Sequence, residues 1–152
     1  MLYPVRKSTR LPGFDYTQPN YYFVTICAHE KQCLFGAPDF LNGIGKIAYT
    51  EMENLPSHYS GVFVDCFVIM PNHVHAILVL ENTTVSLDKI IGLYKSGVSR
   101  RARPITQGKP LWQRSFHDHV IRNQASYEKI WNYVTHNSQK WEDDYFYPAG
   151  KL

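Results

Sequence analysis

Cysteine pairs, long apolar runs and repeats are all missing from this sequence. The chain has 152 residues and three cysteines, Cys27, Cys33 and Cys66, and no two of them form a CxxC pair. This odd number favours reduced thiols over a disulfide framework or a zinc knuckle. No stretch approaches the roughly 18 uninterrupted apolar residues of a membrane span, and no apolar run follows the basic N-terminal residues as it does in a signal peptide. We therefore expect a cytoplasmic protein.

The net charge is also small, at +3, with 19% charged and 44% hydrophobic residues. These values are typical of an ordinary globular protein, and the length suits one domain with a substantial core. Pro12, Gly13 and Pro19 interrupt the N-terminal segment. The sequence therefore predicts a single domain over residues 1–152, in which residues 1–20 form an irregular basic arm.

The basic residues are unevenly distributed along the chain. Between residues 95 and 122 there is a single acid, Asp118. The basic residues of that stretch are Lys95, Arg100, Arg101, Arg103, Lys109, Arg114 and Arg122. A second group consists of Arg6, Lys7 and Arg10. Charge alone favours a solvated surface, but arginines mixed with aromatics such as Trp112 also suit single-stranded nucleic acid, whose phosphates need cations and whose bases stack.

The apolar pattern predicts the order strand, helix, strand, strand, helix, strand, helix. The expected strands are Tyr21–Ala28, Val62–Met70, His73–Leu80 and Arg114–Ile121. The expected helices cover residues 43–55, begin at Ser86 with an apolar stripe to Val98, and begin at Asn123, while residues 102–113 are expected to form a loop. The first six elements match a ferredoxin-like α+β fold, an antiparallel sheet with helices on one face and here an additional C-terminal helix.

The segment MPNHVHAILV, residues 70–79, places His73 and His75 two residues apart in an apolar strand. Alternate side chains of a strand share a face, so the two lie roughly 6 to 7 Å apart along the strand. A lone histidine there is more often a hydrogen-bonded core residue, whereas a pair favours a shared metal ion. Val74, Ala76, Leu78 and Leu80 are then expected to face a helix-covered core.

Further ligands have several candidates. Tyr133 and Asn137 lie one turn apart on the last helix, on a flank at the border between core and solvent, from which they could lean over the sheet edge. They could equally be a partly buried tyrosine and a frayed helix end. His136 is the rival helix ligand. His117 and His119 form a second pair with the same spacing, around Asp118.

Several segments together resemble one family. PNHVHAILVL, LWQRSFHDHVIRN and YVTHN follow one another as they do in the single-tyrosine HUH transposases, and most closely in the REP-associated tyrosine transposases of bacteria. RLPGFDYTQPNYYFVTI, CLFG and IIGLYKSGVS add to the resemblance. The similarity covers nearly the whole chain. One difference is Ser138, at a position where members often have proline.

The resemblance implies a ferredoxin-like nuclease domain that acts on single-stranded or hairpin DNA with Mg²⁺ or Mn²⁺. It implies that His73, His75 and Asn137 are metal ligands and that Tyr133, on the C-terminal helix, is the nucleophile that forms a 5′-phosphotyrosine. His117 then corresponds to a variable surface residue, and His119 supports the site or binds DNA. We expect a monomer or a homodimer. The alternatives are a domesticated hairpin-binding module without cleavage, and a hydrolase whose nucleophile is water.

Overall fold

A computed structural model describes residues 19–137 and 141–142 of the chain. Arg6, Lys7 and Arg10, most of the predicted N-terminal arm, and Ser138 lie outside the described residues. Within the described part, no helix has the length and apolar character needed to cross a membrane.

Six strands and four helices make up the described chain. The strands are β1 (Asn20–Cys27), β2 (Gly36–Ala37), β3 (Phe40–Leu41), β4 (Val62–Met70), β5 (His73–Leu80) and β6 (His117–Ile121). The helices are α1 (Gly43–Glu53), α2 (Leu55–His58), α3 (Leu87–Thr106) and α4 (Gln124–His136). Asn42, Ser86 and Asn123 cap α1, α3 and α4, each accepting a hydrogen bond from a backbone N–H of the first turn.

Four strands form one antiparallel sheet in the order β4-β5-β1-β6. β2 and β3 form a separate small hairpin. The mixed α+β architecture with an antiparallel sheet confirms the predicted fold class. β5 lies between two partners over its whole length, which explains its nearly continuous apolar sequence and the burial of all eight of its residues.

The two faces of the sheet carry different cores. The even-numbered residues of β1 and β5, such as Val24 and Ala76, pack in the large core together with residues of α1 and α3. The odd-numbered residues face the other way, where Phe23, Ile77 and Val134 form a smaller core under α4. α1 and α3 therefore cover one face, and α4 crosses the other. The expectation that Val74, Ala76, Leu78 and Leu80 face a helix-covered core is confirmed.

The second half of the chain differs from the sequence prediction in two places. Residues 102–106, expected in a loop, form the last turns of α3, with Pro104 inside the helix. Proline removes only its own N–H bond to the carbonyl four residues earlier, here that of exposed Arg100, and buried Ala102 holds this part of the helix on the core. β6 begins at His117 rather than Arg114, because Ser115 has a positive φ of 61° that no strand adopts.

Candidate active site

His73 and His75 meet on the α4 face of the sheet. Both side chains are buried, with 0% and 1% exposure. Their Nε2 atoms lie 3.0 Å apart and their ring planes are inclined by 72°. The two Nε2 atoms are therefore much closer to each other than the roughly 6 to 7 Å between alternate positions of a strand. The two rings tilt towards each other, so both nitrogens can reach the same ligand.

Each imidazole is held from behind by a neighbouring polar side chain. The Nδ1 atom of His73 lies 2.8 Å from the carboxamide oxygen of Asn72, and the Nδ1 atom of His75 lies 3.0 Å from the hydroxyl of Thr25. Thr25 stands directly opposite His75 in the pairing of β1 with β5. Sequence reasoning missed both residues: Asn72 falls between two predicted strands, and Thr25 can be placed only once the register of the sheet is known.

Tyr133 joins the pair from α4. Its hydroxyl lies 3.4 Å from Nε2 of His75, and its ring meets the His75 ring at 5.2 Å and the edge of Phe23 at 6.1 Å between centroids. The side chain is 39% exposed, so solvent reaches the hydroxyl side of the site. The expectation of a residue leaning over the sheet edge is wrong: α4 lies across the sheet face, where Phe23, Ile77 and Val134 form its core.

Asn137, the C-cap of α4, and Trp141 follow Tyr133 in the sequence. Asn137, four residues after Tyr133, is 3% exposed, and the ring of Trp141 lies 6.0 Å from that of His73. Asn137 thus falls between a residue that contacts His75 and one that contacts His73. His136 is exposed and its Nδ1 donates to the Asn132 carbonyl at 2.9 Å, so this histidine is bonded to its own helix. The geometry favours Asn137 over His136.

The second histidine pair lies on the same face of the sheet. In the pairing of β1 with β6, His117 stands opposite Thr25 and His119 opposite Phe23, while Asp118 is buried on the other face. His117 is half-buried in the cross-strand row of Thr25 and His75, so it is not simply a surface residue. His119 is exposed one row further away. Neither is brought to the Nε2 atoms of the first pair by this register.

α4 is fastened to the sheet at its N-terminal end. A β-bulge between Val64 and Cys66 leaves Asp65 as an extra residue, and its carboxylate accepts a hydrogen bond of 2.7 Å from Tyr127. This bond, followed by partial burial, raises the pKa of Tyr127 to about 12. The ring of Tyr21 also packs against Tyr127, with centroids 5.7 Å apart. The anchor sets the position of α4 and hence the reach of Tyr133.

Two of the predicted DNA-binding residues have structural partners. The ammonium group of Lys95 donates to the carbonyls of Gln113 and Ser115 at 2.8 and 2.6 Å, and its burial lowers the pKa of Lys95. The indole of Trp112 donates to the Lys95 carbonyl at 3.1 Å and packs on Phe35. Both side chains hold the loop after α3 on the body of the protein.

The remaining basic residues do not form one continuous face. Arg100, Arg101 and Arg103 lie on α3, on the opposite side of the sheet from the histidines, and Arg101 pairs with Glu51 at 2.9 Å. Lys109 and Arg114 are exposed in the loop that follows α3. Arg122 is exposed between β6 and α4, where it lines a cavity of about 400 Å³ together with Tyr21 and Tyr127. Arg122 and His119 are thus on the side of the sheet that carries α4.

The donor set fits a divalent cation with mixed ligands. Among the described residues, no cluster of three histidine, cysteine, aspartate or glutamate side chains could hold a metal ion. The candidate site instead offers the two Nε2 atoms of His73 and His75, and an amide oxygen of Asn137 stays a predicted third ligand. Two nitrogens bound at right angles to a cation about 2.1 Å away lie about 3 Å apart, which matches the 3.0 Å between the two Nε2 atoms.

Solved structures with the same fold are transposases. One is a REP-associated tyrosine transposase bound to a REP hairpin, with a TM-score of 0.59, 17% identity, and coverage of 89% of this chain and 74% of that one. Another is a transposase candidate from Deinococcus radiodurans R1, with a TM-score of 0.57, 14% identity, and coverage of 84% and 96%. At these identities the likeness shows the fold.

Sequence comparison narrows the class to a family. The family model described as Transposase IS200 like matches residues 16–137, which include every residue of the His73–His75–Tyr133 cluster and Asn137. An uncharacterised protein of Haemophilus influenzae is 32% identical over 167 aligned positions, with 93% of each chain covered. The chain belongs to the IS200-like transposase family, within the single-tyrosine HUH superfamily.

The anchor of α4 generates a first prediction. Tyr127→Phe removes one hydrogen bond between α4 and β4 and should cost about 1 kcal/mol of stability. We expect faster hydrogen exchange in the amides of α4 than in the wild-type protein. Tyr49→Phe is the matched control, because Tyr49 is exposed on α1 and packs on Phe67 on the other side of the sheet. Equal exchange of α4 in both variants would contradict the anchor.

The raised pKa gives this anchor a pH dependence. The ordinary pKa of tyrosine is about 10, and the folded protein raises that of Tyr127 to about 12. The neutral hydroxyl is therefore favoured by folding, so its stabilisation is complete below about pH 10 and is lost as the pH rises towards 12. The stability difference between wild type and Tyr127→Phe, measured by urea unfolding, should shrink over that window and stay constant from pH 7 to 9.

Proposed function

We propose that this transposase is a metal-dependent endonuclease and strand transferase for single-stranded DNA, with hairpin DNA as its substrate. The observation that carries the proposal is the contact between the hydroxyl of Tyr133 and Nε2 of His75, which in turn meets Nε2 of His73. The hydroxyl of Tyr133 is a phenol that can attack phosphorus, and it contacts one of the two nitrogens that can hold a cation.

Tyr133 supplies the nucleophile. Its phenolic oxygen attacks the scissile phosphorus and gives up its proton, the phosphorus–oxygen bond to the 3′ carbon side breaks, and the departing 3′-oxygen takes up a proton. The products are a 5′-phosphotyrosine and a free 3′-hydroxyl. The phosphodiester count is unchanged, so attack of another 3′-hydroxyl on the phosphotyrosine rejoins the strand without ATP. The exposure of Tyr133 leaves room for the DNA strand.

His73, His75 and Asn137 would hold the cation, Mg²⁺ or Mn²⁺. When bound, the cation neutralises charge on the scissile phosphate and makes phosphorus more electrophilic. Manganese tolerates imidazole ligands better than magnesium does. Asn72 and Thr25 would orient the two rings from behind, because a hydrogen bond to the second ring nitrogen fixes the orientation of a metal-binding histidine.

DNA would approach over the α4 face of the sheet. Arg122 and His119 are exposed on that side, and Lys109 and Arg114 extend the basic surface along the loop before β6. Arg6, Lys7 and Arg10 are further candidates from the sequence. The fold shared with a transposase bound to a REP hairpin supports a hairpin substrate. Lys95 and Trp112 are left out of this proposal, because their polar groups hold the protein's own backbone.

The second prediction concerns the covalent intermediate. Hairpin DNA with a single-stranded foot, labelled at its 3′ end and incubated with Mn²⁺, should yield a protein band that keeps the label through denaturation, whereas a 5′ label should leave as a shorter oligonucleotide. Tyr133→Phe removes one oxygen atom and little volume, so its stability and DNA binding should stay near wild type while the labelled band disappears. Tyr49→Phe is the matched control and should retain the band.

Each competing function gives a different pattern in the same assay. Cleavage without a labelled band in Tyr133→Phe would make water the nucleophile, as in a hydrolase. A labelled band that persists in that variant would assign the attack to another tyrosine. If the wild-type protein bound the hairpin but did not cleave it with either Mg²⁺ or Mn²⁺, the result would favour a binding module.

The third prediction concerns the two histidines. His73→Ala and His75→Ala should each lower cleavage at least about a hundredfold, because one ligand of the cation is lost, while hairpin binding is retained. Thermal unfolding checks that the sheet persists, since both side chains are buried. Wild-type activity of either variant in chelator-treated buffer would contradict a cation at this site.

The fourth prediction is a steep effect of salt on binding. Neutralised phosphates release condensed counterions, so the logarithm of affinity should fall linearly with the logarithm of salt concentration, by about 0.7 for each phosphate contacted on single-stranded DNA. Arg122→Gln should reduce this slope by roughly one contact. Arg101→Gln, on the opposite side of the sheet, is the matched control. Equal slopes in both variants would contradict the proposal that DNA binds on the α4 face.

A further inference from the structure

The carboxamide of Asn72 is a buried polar partner of His73 on the side of the ring away from His75. Asn72 is the last residue before β5 and is 1% exposed. Its Oδ1 atom lies 2.8 Å from Nδ1 of His73. The contact is buried and shorter than the corresponding contact of Thr25 with His75, at 3.0 Å.

The orientation of this carboxamide is set by a second contact. Its Nδ2 atom donates to the Lys31 carbonyl at 3.2 Å. The reverse orientation would place the amide oxygen of Asn72 against another carbonyl oxygen, and neither atom has a proton to share. The amide oxygen must therefore face His73.

The backbone around Asn72 holds the carboxamide in place. Glu30 and Lys31 adopt left-handed conformations, with φ of 52° and 56°, in the short turn that presents the Lys31 carbonyl. The N–H of Ala28 donates to the Asn72 carbonyl at 2.9 Å, and that of Phe35 to the Pro71 carbonyl at 3.0 Å. The β4–β5 hairpin turn is thus bonded on both sides to the segment after β1, and the amide of Asn72 has little freedom to rotate.

An amide oxygen can only accept, so Nδ1 of His73 must carry the proton of this bond. In a neutral imidazole the other nitrogen is then unprotonated. We propose that Asn72 is a positioning residue that locks His73 in its Nδ1–H tautomer and so turns the lone pair of Nε2 into the active site. That this lone pair serves a cation rests on the proposed function; the tautomer itself does not.

Thr25 gives His75 no such lock. A hydroxyl can donate or accept, so it is compatible with either tautomer of His75. Unless a cation lies between them, two Nε2 atoms 3.0 Å apart need one proton, because two lone pairs would repel. With Nε2 of His73 unprotonated, this proton resides on Nε2 of His75, and Thr25 donates to its Nδ1. The two histidines therefore have opposite tautomers, one fixed and one adaptable.

Nuclear magnetic resonance of the metal-free protein tests this assignment directly. In a sample labelled with ¹⁵N-histidine at a pH where both rings are neutral, long-range proton–nitrogen spectra distinguish the two tautomers. We expect a protonated Nδ1 and a bare Nε2 for His73 and the reverse for His75. A wild-type His73 protonated on Nε2 would overturn the proposal, whatever any variant does.

Variants of Asn72 distinguish a residue that sets the tautomer of His73 from one that only stabilises the fold. Asn72→Ala should leave His73 as a mixture of tautomers and weaken Mn²⁺ binding, measured by titration with electron paramagnetic resonance, by about tenfold or more. Asn72→Asp keeps an acceptor oxygen for Nδ1 and should restore the Nδ1–H tautomer, at a cost in stability because its second oxygen then faces the Lys31 carbonyl. Asn42→Ala is the matched control, because Asn42 likewise donates to a carbonyl, that of Leu34, and accepts one bond, from Gly45. It supports the neighbouring segment, whose Phe35 N–H bonds the Pro71 carbonyl, but its own described bonds do not involve an imidazole.

The outcomes separate this inference from the proposed function. An unchanged His73 tautomer and unchanged Mn²⁺ affinity in Asn72→Ala would overturn the role of Asn72 and leave the nuclease proposal standing. A tautomer shift in Asn42→Ala equal to that in Asn72→Ala would also overturn it. If the wild-type protein bound no Mn²⁺ and formed no DNA adduct, the proposed function would fail, and the tautomer spectra would still decide the role of Asn72.

Discussion

The site depends on the contact between two buried imidazoles. Nε2 of His73 and Nε2 of His75 lie 3.0 Å apart, and both rings are almost fully removed from solvent. Two nitrogen lone pairs at this distance need a proton or a cation between them, and burial makes an unsatisfied pair expensive. Asn72 and Thr25 act on this pair from behind the rings, and Tyr133 contacts it from α4.

The sheet separates stability from chemistry. The face covered by α1 and α3 carries most of the buried apolar side chains, whereas the core under α4 contains only Phe23, Ile77, Ile121 and Val134 as buried members among the described residues. The polar cluster therefore adjoins the smaller core, and its loss need not unfold the larger one. The helix that bears Tyr133 relies correspondingly more on a polar anchor, the bond of Tyr127 to Asp65.

Much of this arrangement could be predicted from local sequence. Alternation placed His73 and His75 on one face, the apolar runs gave the strands, and the family resemblance selected Tyr133 among eleven tyrosines. The features that the sequence did not predict depend on tertiary contacts. The extension of α3 through Pro104 follows from packing of Ala102, and the route of α4 over the sheet cannot be read from its own periodicity. Likewise, the bonds of Lys95 to two loop carbonyls could not be predicted, because Gln113 and Ser115 are distant in the chain and only the fold brings them to Lys95.

The bulge at Asp65 also changes how β4 must be compared with its relatives. Before it, Val62 and Val64 face the large core; after it, Cys66 and Val68 face α4, and Phe67 and Ile69 take over the large-core positions. Even-numbered residues of β4 therefore face the large core before the bulge and face α4 after it. When this strand is aligned with that of a relative that lacks the bulge residue, the gap belongs at Asp65. Only then are Val62 and Val64 compared with core residues of the relative. A gap placed two positions away would align core residues with residues on the α4 face, and substitutions there would be misread as changes to the candidate site.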